Sequence, residues 1–414
     1  MKSVKNCQLL KAFLLVLLLG SPAILQAQQP VTANFLFIAD VHLDPNSPKT
    51  TYGQDAGMDV WNALKVKLDA VMSAKDAPKF VIYTGDLPVH NSWCAPLAGT
   101  AASTHDTAIA MVLNELRYLS VKYKKPVFYM PGNNDALSGD YLSYTNASGQ
   151  SPLSLVQSAP LFFPKGKAAA GAGYPSIISQ NVKDGYYSAR LMPGLRLIAL
   201  NTVILNNGCP DTGRPQESAA EMVWLRNQLK AAKQAGDKVY IAMHVPPGNT
   251  YNGGQMWNTA GGVWVDSFLQ MAANYSTTIA GVFYGHTHMD ELRRLHNKWS
   301  GGDTVTAVAI CCPGISAQHT NNPGFKVVTY DTKTKAPVDF TTYYTPLPMN
   351  GAWPGSSYSF RQIFGCQSGS IYQCLKNRDA NTLATQVAQI YEVMNSQEPV
   401  TSGTVIGFID VEPQ

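Results

Sequence analysis

Asn34-Phe35-Leu36-Phe37-Ile38-Ala39-Asp40-Val41-His42 decides how this chain is read. Large apolar side chains in unbroken succession mark a strand buried on both faces, and the run ends in a carboxylate and an imidazole two positions apart. Residues two apart on an extended chain point to one side, so Asp40 and His42 can share a metal ion. Taken alone, the pair is as readily a turn aspartate beside an unrelated histidine.

Four further apolar runs end in the same way. Phe80 to Thr84 leads into Gly85-Asp86, Val127 to Met130 into Pro131-Gly132-Asn133-Asn134-Asp135, Val239 onward into His244, and Thr278 to Tyr284 into Gly285-His286-Thr287-His288. Asp86 stands where a carboxylate can bridge two cations, the Asn133 amide oxygen is a hard neutral ligand, and the paired imidazoles of His286 and His288 form the strongest single motif. Jointly, Asp40, His42, Asp86, Asn133, His244, His286 and His288 supply what two divalent cations about 3.5–4 Å apart require to clamp both oxygens of an in-line displacement at phosphorus. His105, His296 and His319 lack such context and read as ordinary surface or loop residues.

Between the strands lie helical periods: Val60, Trp61, Leu64, Leu68, Val71 and Met72; then Ile109, Val112, Leu113, Leu116 and Leu119, with Thr104 as the expected cap; then Ala219 to Ala235. Strands alternating with helices imply βαβ units and a mostly parallel sheet. Residues 138–180, rich in Ser, Gly, Ala and Pro, read as a long loop or insertion. Shorter strands at 304–311, 325–331 and 337–344 without intervening helices suggest a second, more antiparallel sheet. Residues 28–344 thus form the expected catalytic domain, and 345–414 a small helical, cysteine-containing appendage with Leu383, Val387, Ile390 and Val393 in helical period.

Residues 1–27 carry Lys2, Lys5 and Lys11, an apolar core from Ala12 to Leu19, and small residues before Gln28, the pattern of a cleaved secretory signal. The apolar core is too short to span a bilayer, so no transmembrane anchor is expected after cleavage and the destination is extracellular or periplasmic. Cleavage removes three lysines from 31 basic residues and none of the 27 acidic ones, leaving +1. No run of Lys or Arg exceeds two residues, which excludes stable binding to duplex nucleic acid. Six cysteines remain after Cys7 is removed, and an even number in an oxidising compartment points to disulfides. Cys366 and Cys374 are the expected local pair; Cys94, Cys209, Cys311 and Cys312 cannot be matched from sequence.

The five metal-capable segments resemble the calcineurin-like metallophosphoesterase superfamily. Gly85-Asp86-Leu87-Pro88-Val89-His90, Pro193 to Asn201, Gly236 to Val239 running into His244-Val245-Pro246-Pro247-Gly248, and Gly285 to His288 make the acid sphingomyelinase-like phosphodiesterases the nearest resemblance, over residues 34–331. That resemblance implies a four-layer α/β/β/α sandwich with a small helical C-terminal appendage, and two metal ions, zinc by family habit with manganese or iron as alternatives. Asp40, His42, Asp86 and His288 would hold one, and Asp86, Asn133, His244 and His286 the other. Val89 stands where a purple acid phosphatase has tyrosine, which disfavours that branch. A metal-activated hydroxide attacking in line on a nucleotide or phosphocholine-type diester is the expected chemistry, with a phosphomonoesterase or a non-catalytic secreted binding protein as alternatives.

One position departs from the family pattern. Where the family's Gly-Asn-His-Glu/Asp motif carries the histidine assigned to protonate the leaving group, this chain has Asn134, and an amide is not a general acid. His90, on the loop that begins at Asp86, is the expected substitute. Too few residues separate the expected cleavage site from the first core strand for the lipid-extracting saposin domain of the sphingomyelin-cleaving relatives. Small diesters, including lipid headgroups accessible from water, are therefore the expected substrates, and Trp93, Tyr251, Trp257 and Trp353 are loop aromatics available for contact with them. Sequence does not define the oligomeric state.

Overall fold

The computed structural model describes residues 31–156, 161–162, 175–205, 209, 214–257, 264–299, 301–394, 396–397 and 399–413. The signal segment expected over residues 1–27, with Cys7, lies outside them. In chain order the elements are β1 (Thr32–Ile38), α1 (Met58–Ser73), β2 (Val81–Tyr83), α2 (Gly99–Tyr123), β3 (Val127–Tyr129), β4 (Leu161–Phe162), β5 (Ser176–Asn181), β6 (Tyr186–Met192), β7 (Leu195–Ala199) and α3 (Pro215–Ala235). They continue with β8 (Lys238–Ala242), α4 (Trp264–Asn274), β9 (Ile279–Tyr284), β10 (Leu292–Asn297), β11 (Thr304–Cys311), β12 (Gly324–Asp331) and β13 (Pro337–Tyr344). The last are β14 (Ser357–Ser359), α5 (Phe360–Phe364), α6 (Ile371–Leu375), α7 (Ala380–Ile390), α8 (Ser402–Val405) and β15 (Asp410–Val411).

Two sheets form, ordered β14-β13-β12-β1-β2-β3-β4 and β15-β10-β11-β9-β8-β7-β6-β5. Their centres are parallel, β1-β2-β3 in one and β7-β8-β9-β11 in the other. Parallel strands need both faces covered, which is why they read as continuous apolar runs. The sheets cover each other through aromatic side chains: the Phe35 ring lies 5.1 Å from Phe283 and 5.7 Å from Tyr240 across the interface. On the outer face of the first sheet sit α1 and α2, through Leu64, Leu68, Leu113 and Leu116. Leu225, Leu229, Phe268 and Leu269 of α3 and α4 close the outer face of the second against Ile198, Ile241 and Val282. The result is the expected helix, sheet, sheet, helix sandwich.

Several expectations are corrected. The strands at 304–311, 325–331 and 337–344 make no sheet of their own: β11 lies parallel to β9 in the second sheet, while β12 and β13 extend the first, β12 antiparallel to β1 and β13 antiparallel to β12. Short strands without helices reveal a hairpin but not the edge it joins. Within the expected loop at 138–180 lie β4 and the start of β5. Sequence reading also missed β10, because its Arg293, Arg294 and His296 disguise a strand whose six residues are buried or nearly so. Helix α2 begins at Gly99, so Thr104 lies inside it, and its hydroxyl accepts from Asn46 instead of capping.

Residues 345–413 contribute β14 to one sheet and β15 to the other, and Phe360, Phe364, Leu375, Leu383, Val387 and Phe408 join the same apolar cluster as β1. Cys366 pairs with Cys374 as expected, and Cys94 with Cys209; Cys311 and Cys312 are buried free thiols.

One buried network centres on Lys326. Lys326 Nζ donates to Asp290 Oδ2 at 2.5 Å and to Thr342 Oγ1 at 2.7 Å, lies over the Phe340 ring, and is fully buried, as is Asp290. Removing one partner of such a pair strands the other, so Lys326→Met should lose about 3–5 kcal/mol in urea unfolding; a loss below about 1 kcal/mol would show that the pair is not held as described.

His296, far from an ordinary loop residue, is buried between Asp303 (2.6 Å) and Asp410 of β15 (2.8 Å), and Arg294 grips Asp410 with two nitrogens. Burial alone would lower the imidazole pKa, but the two carboxylates outweigh it and raise it above the ordinary 6.5. A raised histidine contributes its full stability below the unfolded pKa and loses it as pH climbs through the folded one. His296→Gln should therefore cost more stability at about pH 6 than at about pH 9, read as denaturant midpoints of both proteins; equal losses at the two pH values would disprove the linkage.

Candidate active site

All seven expected ligand residues gather where the parallel strands end. Asp40 and His42 follow β1, Asp86 follows β2, Asn133 follows β3, His244 follows β8, and His286 and His288 follow β9. Both sheets thus deliver side chains to one crevice at their carboxyl ends, where ligands of such sheets bind. The two-residue spacings act differently from the strand alternation read in the sequence. β1 stops at Ile38 and β9 at Tyr284, and Asp40, His42, Asp86, His286 and His288 all adopt left-handed backbone, with φ of 51°, 43°, 62°, 72° and 62°. Each such residue costs about 1–3 kcal/mol, strain that clusters where function needs it.

The loops are locked. Asp40 N donates to Gly85 O at 3.0 Å and His42 N to Asp86 O at 3.2 Å. A Cβ on Gly132 would lie 2.1 Å from Asp86 Oδ1, so only glycine fits there. Asp135, inside the same motif, accepts from the amides of Asp86 (3.2 Å), Leu87 (2.7 Å) and Gly132 (2.7 Å) and from the Tyr129 hydroxyl (2.8 Å), stapling the two loops together.

At the centre, Asp86 Oδ2 is 3.2 Å from both His42 Nε2 and His244 Nε2. On one side His288 Nε2 lies 3.1 Å from His42 Nε2 and 3.7 Å from Asp40 Oδ1. On the other, Asn133 Oδ1 is 2.9 Å from His244 Nε2 and 3.0 Å from His286 Nδ1. His42 Nδ1 donates to Pro88 O and His244 Nδ1 to Thr84 O, which turns both Nε2 lone pairs inward, and Asn133 Nδ2 donates to Asp140, which turns its oxygen inward.

Asp40 and Asp86 are buried with only imidazoles as ion-pair partners, and no Lys or Arg pairs with either among the described residues. Burial and the nearby Asp86 push Asp40 up to about 8 against the pull of His244. Asp86 moves the opposite way: burial raises it, but His244 and His42 outweigh burial and hold it well below its ordinary value. Burial keeps His286 and His288 well below 6.5. Converging lone pairs and uncompensated carboxylates are the chemistry of a cation site, and the set divides into two groups sharing Asp86, which fits two divalent ions.

Other residues surround this core. Asn134 turns onto Asp86, its amide N donating to Oδ1 at 2.8 Å and its Nδ2 to Oδ2 at 3.0 Å, while its own Oδ1 is buried without a partner. His90 stacks on His42, ring centres 3.7 Å apart, and its Nδ1 donates to Asp55 Oδ1 at 2.6 Å. Burial opposes its charge, but Asp55 prevails and raises its pKa. Asp55 and Asp140 were invisible to sequence reading, because neither adjoins a strand or a repeated motif. Two histidines read as ordinary are not: His105 is buried in α2 with Nε2 donating to Asn134 O at 2.8 Å, and His319 stands edge-on to His288, ring centres 4.6 Å apart. Trp93 and Tyr251 are exposed, whereas Trp257 and Trp353 are buried in packing.

The sequence model of the calcineurin-like phosphoesterase family matches residues 33–290, and the chain belongs to that family, whose members hydrolyse phosphoric esters. It is 28% identical over 374 residues to cyclic GMP-AMP phosphodiesterase SMPDL3A of Mus musculus, covering 82% of this chain and 78% of that protein. To sphingomyelinase phosphodiesterase D of Dictyostelium discoideum it is 27% identical over 347 residues, covering 82% and 72%. To sphingomyelin phosphodiesterase of Bos taurus it is 28% identical over 264 residues, covering 61% and 37%. These relatives place it in the acid sphingomyelinase-like branch.

The staple predicts its own test. Asp135→Asn presents an amide NH₂ to N–H groups that now share a carboxylate, and should lose about 1–3 kcal/mol of stability by denaturant unfolding; an unchanged midpoint would show that the loops are held otherwise.

Proposed function

We propose that the protein is a secreted two-metal phosphodiesterase. The observation that carries this reading is Asp86 Oδ2 equidistant, at 3.2 Å, from His42 Nε2 and His244 Nε2, one from each donor group. Asp40, His42, Asp86 and His288 would hold one ion, and Asp86, Asn133, His244 and His286 the other. Imidazole, carboxylate and amide oxygen suit zinc, with manganese or iron possible on the same ligands. When bound, such ions supply Lewis-acid polarisation of the phosphoryl group and an activated water at neutral pH.

The protein's own part is orientation and proton delivery. His90 Nδ1 is held by Asp55, which leaves Nε2 as the remaining donor. As the bond from phosphorus to the leaving oxygen breaks, that oxygen keeps the electron pair and takes the Nε2 proton; His90 is reprotonated from solvent. Asn134 does not compete, since an amide is not a general acid and both its backbone N–H and its Nδ2 are turned onto Asp86.

Substrate charge favours a diester: the ionisable groups acting most strongly on His90, His286 and His288 are histidines and aspartates, with no Lys or Arg among them, which suits the single charge of a diester. The relatives named for cyclic GMP-AMP and sphingomyelin support nucleotide and phosphocholine-type diesters. Secretion is supported by the leader pattern in the sequence and by the Cys94–Cys209 bond.

Zinc- or manganese-loaded protein should hydrolyse bis(p-nitrophenyl) phosphate faster than p-nitrophenyl phosphate, and Asp86→Asn should abolish both. Monoester preference would make it a phosphatase, and inactivity on both would leave a binding protein.

A further inference from the structure

Turned onto Asp86, position 134 leaves the substrate side of the crevice without the side chain that the family motif would put there. The open rim is instead set by His90, His286 and His319. His319 is exposed at the tip of a short turn in which Thr320 N donates to Ala317 O at 3.0 Å. That turn is fixed to the support of His90: Ser316 Oγ donates to Asp55 Oδ1 at 3.0 Å, the carboxylate oxygen that holds His90, and Gly53 N donates to Ala317 O at 2.9 Å. Asn321 Nδ2 closes the loop onto Ser316 O at 2.9 Å. An exposed imidazole on a loop braced this firmly is preorganised, and its ring centre lies 6.4 Å from that of His90 and 4.6 Å from that of His288. At this spacing one phosphoryl group seated at the crevice mouth, outside the two rings, can take an N–H···O contact from each.

We propose that His319 is a substrate-contacting residue, donating a ring N–H to a non-bridging phosphoryl oxygen of the diester while His90 serves the leaving oxygen. This rests on the phosphodiesterase reading above. The role needs one N–H and no change of charge, so a neutral donor can replace it.

The test compares wild type, His319→Ala and His319→Gln in three measurements: bound metal per chain, calorimetric affinity for dimethyl phosphate, and kcat and KM on a series of phosphodiesters with leaving groups of graded pKa. His319→Ala should keep its metal, bind dimethyl phosphate more weakly, and lose roughly 10²-fold in kcat/KM, the effect of deleting one preorganised donor to a developing oxyanion. The loss should be equal across leaving groups, and His319→Gln should recover most of it. Activity of the alanine variant within about twofold of wild type would overturn the proposal. So would a fall in bound metal, which would make His319 a mere support of His288, or a loss that grows with leaving-group pKa, which would place it on the leaving oxygen. Inactive wild type would instead bring down the phosphodiesterase reading and this proposal together.

Discussion

Two carboxylates, Asp40 and Asp86, are buried at the meeting of two sheets with imidazoles as their only ion-pair partners among the described residues. Left without a cation, such a cluster is expensive, because burying charge is offset only by close opposite charge. The fold spends backbone strain to build it: five residues of the cluster sit in left-handed conformation, and Gly132 is required where a methyl would strike Asp86. A folded state that tolerates both costs implies compensation elsewhere, and the site's surroundings supply it.

That compensation is a frame of buried polar contacts anchored in both sheets. Asp290 and Glu291 stand two and three residues after His288. Asp290 is held by Lys326 of β12, Thr342 of β13 and Tyr358 of β14, all in the first sheet. Glu291 accepts from Tyr284 of β9 and Arg293 of β10, and Arg293 in turn donates to Pro247 O on the loop that follows His244. The loops bearing His244, His286 and His288 are thereby tied to one another and to the opposite sheet. Residues of the C-terminal segment take part in this frame as well as in the apolar core: β15 packs so close to Gly248 that a Cβ there would come within 2.9 Å of Val411.

Legibility followed the physics of each part. The parallel strands were readable because strands covered on both faces are uninterrupted apolar runs, and the ligand residues because each stands directly after one. What escaped was polar structure satisfied at long range. β10 hid behind two arginines and a histidine, each with a partner far along the chain, Pro247 for Arg293 and Asp410 for Arg294 and His296, and the sheet joined by β12 depends on pairing with β1, some 290 residues earlier in sequence, as the register Phe35 with Val328 shows. Asp55 reaches His90 across 35 residues and Asp140 belongs to no periodic segment. Asp40 and His42 were read as sharing a side by strand alternation, whereas both lie beyond β1 in left-handed backbone.

Asn134 shows how little separates two proton economies on one scaffold. Its backbone N–H and side-chain NH₂ both converge on Asp86, so the amide stabilises the carboxylate's charge directly, and the buried His105 anchors the same residue from behind through its carbonyl. A histidine at this position could not make the second of these contacts and also donate to a leaving oxygen with the same nitrogen. On the reading proposed above, proton delivery falls to a group that approaches the crevice from elsewhere with its own counter-charge, and the Asp55–His90 pair stacks against the His42 ring in that position. The Cys94–Cys209 bond ties the segment that follows His90 to Cys209, whose sulfur lies 3.8 Å from the Asp140 carbonyl, so the flank bearing His90 is braced against the flank that orients Asn133. The loops bearing His90 and Asn133 are thereby braced against each other, and the proposed proton delivery by His90 would rest on that fixed geometry.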